Sequence, residues 1–300
     1  MRVLVTGING FIGSYVASKF KNAGYEVVGL DRDYSGNIYK VYRINMMQDD
    51  ISDILGEERP EIIIHCAGLA NVSYSLHHIE EDFNANTVVV YRLLEAMRQN
   101  NLQSSRLVLM SSAAVYGQPV QLPISENATL NPMSPYALHK KMAEDICLYF
   151  IENYQFDIRI LRVFSAFGPG LRKQIFWDMY QKIRNNGKLD LYGTGKESRD
   201  YIYIDDLVEA IFLIALDVKS NYTIWNVANG EEVTIREVAE VFAENVGMDG
   251  SKINFSNELR EGDPINWCAD ISRLLELGYK KETSIQKGIQ QYIAWADKER

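Results

Sequence analysis

The sequence predicts a doubly wound α/β fold, a mostly parallel sheet covered by helices, with a smaller C-terminal lobe. Three observations carry this reading. Short apolar runs recur with no polar alternation, such as Val3-Leu4-Val5, Ile62-Ile63-Ile64 and Leu107-Val108-Leu109, and strands buried on both faces belong to parallel sheets under helices. Longer helical patterns separate these runs through the first half of the chain, the alternation that crossover connections produce. A glycine-rich turn then joins the first run to the first helix.

Taken in order, Arg2–Thr6 reads as a strand, followed by the turn and a helix to about Ala23, where Gly24 ends it. Glu26–Asp31 is a second strand. Glu61–His65, Arg106–Met110 and Asp157–Leu161 are further strands, with helices near Glu80–Asn100 and Tyr136–Asn153 between them. After about Phe164 the pattern loosens into glycine loops, a strand at Tyr201–Ile204, a helix from Asp205 to about Asp217, one that Thr234 caps, and a last one from Ser284 to about Lys298. The expected organisation is a dinucleotide-binding core over 1–165 with a returning segment near 201–228, and an interleaved substrate lobe over 166–200 and 229–300.

Composition bounds the function. The 300 residues are 47% hydrophobic and 24% charged, ordinary globular usage. A net charge of −9 argues against broad contact with nucleic acid or an anionic membrane, so any anion must be captured by locally placed cations. Cys66, Cys147 and Cys268 lie far apart with no CxxC, which implies neither a zinc site nor a disulfide framework. No apolar run is long enough to span a bilayer. Val3-Leu4-Val5 is cut at once by Thr6-Gly7, too short for the apolar core of a signal peptide, so the cytoplasm is the expected location.

The turn Thr6-Gly7-Ile8-Asn9-Gly10-Phe11-Ile12-Gly13 spaces its glycines GxxGxxG. Gly7 permits the tight turn, Gly10 lets backbone approach a pyrophosphate, and Gly13 lets the helix pack on the strand. The helix start then offers N–H groups and a positive dipole end to phosphate. With Asn9, Phe11 and Ile12 this is a Rossmann-type cofactor turn. Asp31 ends the second strand and suits both ribose hydroxyls of an adenosine, which favours NAD over NADP. Arg32, next to it, would attract a 2′-phosphate.

Tyr136 and Lys140 are one helical turn apart behind Ser134-Pro135, an N-cap and first-turn pair. A neighbouring ammonium lowers a phenol's pKa, so Lys140 is expected to bring Tyr136 toward the working pH as a general base or acid. Ser112 closes the strand Arg106–Met110 at the sheet's carboxyl edge, where such folds hold ligands, and Ser111 precedes it.

These residues together resemble the extended short-chain dehydrogenase/reductases, in particular the NAD-dependent epimerase/dehydratase family acting on nucleotide sugars. The resemblance runs along nearly the whole chain. It implies Ser112, Tyr136 and Lys140 as catalytic residues and NAD as cofactor. It assigns further cofactor contacts to Asn45-Met46, Ala67, Gly68 and Leu69 in the loop after His65-Cys66, Asn84, Ser111 and Val163. Glu197–Asp206 resembles the family's RDYIxVxD segment and Arg260-Glu261-Gly262-Asp263 its RxGD segment, so Arg199 and Arg260, with Asp263, are expected at the substrate diphosphate. Guanidinium forks match phosphate oxygens two at a time. Lys173 is a further cationic candidate. Ser165 stands where the family usually has a sugar-contacting Asn. Ala113-Ala114 stand where the family's 4,6-dehydratases carry Asp-Glu, and methyl groups move no protons. The expected reaction is therefore 4-epimerisation of an NDP-hexose through a 4-keto intermediate. A 4-ketoreductase or 4-dehydrogenase would use the same trio. The family also implies a homodimer paired through the helices near Glu80–Asn100 and Tyr136–Asn153.

Overall fold

The computed structural model describes residues 1–33, 38–258 and 264–299. Among these, a seven-stranded sheet forms the centre of the fold. Its strands are β1 (Arg2–Thr6), β2 (Glu26–Asp31), β3 (Lys40–Arg43), β4 (Ile62–His65), β5 (Arg106–Ser112), β6 (Ile158–Val163) and Ile224–Val227. The spatial order is Ile224–Val227, β6, β5, β4, β1, β2, β3, with β1 through β6 paired in parallel. Successive strands therefore run outward in two directions from β1 and β4. The carboxyl ends of those two strands form the switch point at which doubly wound sheets bind ligands.

The chain divides into two compact units. The first holds Met1–Gly117, Thr129–Val163 and Val208–Trp225; the second holds Gln118–Ala128, Phe164–Leu207 and Asn226–Arg300. In the first, the helices are α1 (Phe11–Asn22), α2 (Ser52–Glu58), α3 (Val72–Ser75), α4 (Ile79–Phe83), α5 (Val89–Gln99) and α6 (Pro135–Tyr154), with a π-helical turn at Asn84–Val88 between α4 and α5. Their apolar faces close over the sheet around Leu4, Ile63, Leu93, Leu94, Met97, Leu107 and Phe150. Burying such a side chain contributes about 1.5–3 kcal/mol.

In the second unit, Ser165–Phe167 pairs in parallel with Tyr201–Tyr203, and Ile253–Phe255 with Leu189–Leu191. Val233–Thr234 runs antiparallel to Ser198–Arg199. Thr234 caps the helix Ile235–Asn245 in a full capping box with Glu237. The buried rings of Phe167 and Phe176 stack with centroids 4.4 Å apart. Asp200 is fully buried and accepts backbone N–H bonds from Asn229, Gly230 and Ala269, drawing three loops to one point.

Candidate functional site

The glycine turn is built from backbone. Gly7 has φ +66°, and Gly10 donates to the Gly7 carbonyl at 2.9 Å. A Cβ on Gly13 would stand 2.1 Å from that carbonyl oxygen, and one on Gly7 would stand 2.9 Å from the backbone of Ala67. The N-cap of α1 is Gly10, no side chain caps the helix, and its first turn carries no acid. The helix start is thus left for an anion. Asp31 accepts N–H bonds from Asn9 at 2.9 Å and Asp33 at 3.1 Å, which fixes its carboxylate at the tip of the turn. Arg32 is exposed and lies 3.6 Å from Asp33. Asn45 accepts from Met47 N–H within its own turn, and Met46 is buried in the core.

The trio comes together in the first unit. Ser112 ends β5, and α6 begins two residues before its first functional turn is complete, with Ser134 accepting from Ala137 N–H at 3.2 Å. Tyr136 N–H donates to Ser75 Oγ at 3.1 Å, which ties the start of α6 to α3. The Ser112 side chain stands close enough to the Tyr136 phenol to favour its ionised form. Lys140 is buried and donates to the Met110 carbonyl at 2.9 Å. One turn further, Glu144 takes a bidentate Arg162 and the Ser111 hydroxyl, and Arg162 also donates to Tyr116 Oη at 3.0 Å. Ser111 is thereby a support beneath the site.

Burial dominates the electrostatics of the trio. Burial pushes the Tyr136 phenol up to about 12; the Ser112 side chain opposes this and the charge of Asp82 adds to it. Lys140 is buried one turn further along the same helix. Its own ammonium is pushed down to about 8 by burial, opposed by the negative charge of Asp82 and by Cys66 and Glu144. His65 lies against Thr6 Oγ1 at 2.8 Å and is held neutral, its pKa down to about 3 through burial and the Lys140 charge. Burial raises the Cys66 thiol to about 12, so no thiolate forms there.

Asn86, and not Asn84, is the asparagine that reaches the loop after β4. Its amide donates to the Leu69 carbonyl at 2.9 Å and to Asp82 at 3.0 Å. Its buried Oδ1 has no protein partner, and a Cβ on Gly68, whose φ is +149°, would stand 2.8 Å from it. Asn84 lies at the start of the π turn, half-buried. Asp82 and His139, which sequence reading passed over, are both buried and 2.6 Å apart. The available signal was a carboxylate and an amide, Asp82 and Asn86, spaced one helical turn apart.

The second unit carries the other candidates. Arg199 donates to the carbonyls of Ser198 at 2.7 Å and Ile265 at 3.2 Å, and its guanidinium lies 5.5 Å from the centre of the Trp267 ring. Ser165 N–H donates to the Asp200 carbonyl at 3.0 Å, leaving its short side chain half-buried. Lys173 is exposed at the start of the helix Gln174–Asn186. Arg260 and Asp263 lie outside the described residues.

Tyr136 and Lys140 on one helix, beside a serine at the carboxyl edge of a Rossmann-type sheet, define an extended short-chain dehydrogenase/reductase. The chain belongs to the NAD dependent epimerase/dehydratase family, whose model matches residues 3–228. A putative UDP-glucose 4-epimerase of Methanocaldococcus jannaschii is 29% identical, over 98% of this chain and 97% of that protein. Among solved structures, the UDP-N-acetylglucosamine 4-epimerase of Methanobrevibacter ruminantium, in complex with UDP-N-acetylmuramic acid, is 28% identical with TM-score 0.89, covering 100% of this chain and 99% of that one. The UDP-glucuronic acid 4-epimerase of Bacillus cereus, bound to UDP-glucuronic acid and NAD, is 25% identical with TM-score 0.91, covering 100% of each chain.

Proposed function

We propose that the chain is an NAD-dependent nucleotide-sugar 4-epimerase. The observation that carries this is the Ser112 side chain, at the end of β5, acting on the Tyr136 phenol, with Lys140 one turn further along α6; the 4-epimerases among its relatives support it. The residues present fit the dinucleotide. The uncapped start of α1 and the Cβ-free turn suit its pyrophosphate, Asp31 its adenosine ribose, and Lys140 its nicotinamide ribose. The orphaned Asn86 Oδ1 leaves an acceptor beside Gly68. Bound there, NAD would supply the hydride acceptor for C4 of the sugar and, once reduced, the donor to its opposite face.

The protein's own part is proton transfer and restraint. Tyr136 as phenolate takes the C4 hydroxyl proton while Ser112 shares a hydrogen bond with the same oxygen, and the two reverse those roles when the hydroxyl is rebuilt. For the phenol to ionise near neutrality, cationic charge must offset the burial that holds it near 12. The Lys140 ammonium and the oxidised nicotinamide are the two cations for that role. Ala113 and Ala114 offer no proton to C5 or C6, so water is not eliminated. Within the second unit, the Arg199 guanidinium is a fork that suits diphosphate oxygens, and Ser165 is shorter than the asparagine usual at its position. Leu138, Met142, Tyr149 and Tyr91 are exposed apolar side chains on α6 and α5, 41%, 37%, 54% and 50% accessible, and this face forms a homodimer.

An epimerase must not release its reduced cofactor between hydride transfers. The test is to incubate purified protein with UDP-, dTDP-, CDP- and GDP-hexoses without added nucleotide, and to identify the cofactor released on denaturation. Interconversion of C4 epimers with bound NAD(H) is expected. No epimer from any sugar, together with net NADH formation or consumption on a nucleotide sugar or its 4-keto form, would establish a 4-dehydrogenase or 4-ketoreductase instead.

A further inference from the structure

Behind the trio lies a second constellation that proton transfer to the sugar does not use. Asp82 on α4 is fully buried. One of its carboxylate oxygens accepts from His139 Nδ1–H at 2.6 Å, the other from Asn86 at 3.0 Å. His139 is itself buried, three residues after Tyr136 and immediately before Lys140, and its backbone carbonyl accepts the Thr87 hydroxyl at 2.9 Å. A buried carboxylate carries a desolvation penalty of several kcal/mol unless it is paired and hydrogen-bonded. Its retention beside two catalytic candidates asks for a role.

We propose that Asp82 and His139 form a positioning pair that anchors the catalytic turn of α6 and supplies the negative charge that keeps Lys140 an ammonium. The proposal rests on the 4-epimerase reading for what Lys140 does; for what the pair does, it rests on the Asp82 hydrogen bonds to His139 and Asn86, and on Lys140 Nζ and Asn86 Oδ1 lying 3.6 Å and 2.8 Å from one point at Gly68, together with the charge of Asp82. The groups facing Lys140 are few. From the end of β4 come His65 and Cys66, both held neutral. From β5 comes the Met110 carbonyl. From α6 come Tyr136, a neutral phenol, and Glu144, whose charge is already matched by a bidentate Arg162. Among the described residues, Asp82, from α4, is the remaining anion that acts on Lys140. Burial alone would drive the ammonium toward neutrality, and Asp82 is first among the groups that oppose it. The pair also ties α4 to α6, while Asn86 continues the hydrogen bonds to the loop at Leu69.

The experiment compares wild type with D82N, H139L and H139N in the full chain. Two pH profiles are read for each, NADH affinity by fluorescence titration and kcat for epimerisation. D82N removes the charge. H139L leaves the carboxylate without its imidazole N–H donor and releases it from the geometry that holds its charge toward Lys140. Asn at 139 places an amide N–H close to where the imidazole Nδ1–H stood and retains the bond. The alkaline fall in both profiles, set by Lys140 near pH 8 in wild type, should move about one unit lower in D82N and in H139L, the scale of a unit charge lost a few ångströms away in a partly screened interior. H139N should superimpose on wild type. Should D82N fail to fold, the contrast of H139L with H139N decides. Midpoints of D82N and H139L unchanged from wild type, with only a pH-independent loss, would overturn the proposal; so would an H139N profile displaced as far as that of H139L. Absence of turnover on every sugar would sink the epimerase reading alone, because the NADH titration reads the pair without a sugar.

Discussion

Replacing Gly13 by alanine should dismantle the cofactor turn, and the structure says how far. The new Cβ would meet the Gly7 carbonyl oxygen at 2.1 Å, the Gly7 carbonyl carbon at 2.9 Å and Ile8 Cα at 3.1 Å. All three are backbone atoms, so no side-chain rotation relieves the clash. The same carbonyl accepts the Gly10 N–H bond that closes the turn, and Gly7 N–H is held by Leu30 O at 2.8 Å. Moving Gly7 therefore disturbs the β1–β2 edge as well as the start of α1. Overpacking of this kind costs about 1–3 kcal/mol, which for a domain of 150–250 residues lowers Tm by roughly 2–4 °C per kcal/mol. Gly10→Ala is the internal comparison. Gly10 has φ −72°, and its Cβ would stand 3.1 Å from the one oxygen. It should perturb the fold much less yet still weaken NAD, because the added methyl group projects into the approach to the helix start. Thermal melts and NAD titrations of both variants decide the matter. A Gly13→Ala protein that melts with wild type and binds NAD normally would refute the turn geometry and the role built on it.

Four further outcomes follow from the same geometry. Lys140→Met should raise stability while abolishing turnover. A Lys pKa lowered from 10.5 to about 8 means the folded protein binds fewer protons than the unfolded chain between those values, so the wild-type penalty is full below pH 8 and fades as pH rises to 10.5; melts of the two proteins should converge over that window. Ser112→Ala removes the side chain that opposes burial at Tyr136, so its kcat profile should move to higher pH with a loss of about 10²-fold or more. Arg162→Met leaves Glu144 buried and unmatched, and urea unfolding should show about 3–5 kcal/mol of destabilisation. Arg199→Ala should weaken nucleoside diphosphate binding by about 1.5–3 kcal/mol with a smaller effect on kcat, read by calorimetry and saturation kinetics.

The sheet was legible in the sequence where burial acts on both faces of a strand. Val3-Leu4-Val5, Ile62-Ile63-Ile64 and Leu107-Val108-Leu109 are apolar in succession because helices cover both sides. Lys40–Arg43 left no such mark. It is an edge strand with exposed ends, and nothing in Lys-Val-Tyr-Arg separates it from a loop. Ile224–Val227 falls within the expected returning segment and leaves little mark of its own, since Asn226 interrupts its short apolar run. Within the site, the glycine turn and the Tyr136–Lys140 spacing are local patterns, and local patterns can be read from neighbouring letters.

Relations across the fold are different in kind. Choosing Asn86 over Asn84 requires the course of the π turn at Asn84–Val88, which sets which amide meets the loop at Gly68. The partner of Asp82 sits 57 residues away on α6. The tyrosine's environment is likewise set by tertiary burial, which outweighs the neighbouring cation that sequence spacing brings to mind. A spacing of four residues identifies which groups can act together, but the sign of what they do to one another depends on which charges the rest of the fold has already matched. Here Glu144 is spoken for by Arg162 and Asp82 is left facing Lys140. The chemistry of this trio is therefore set as much by α4, which carries none of its members, as by the helix that carries two.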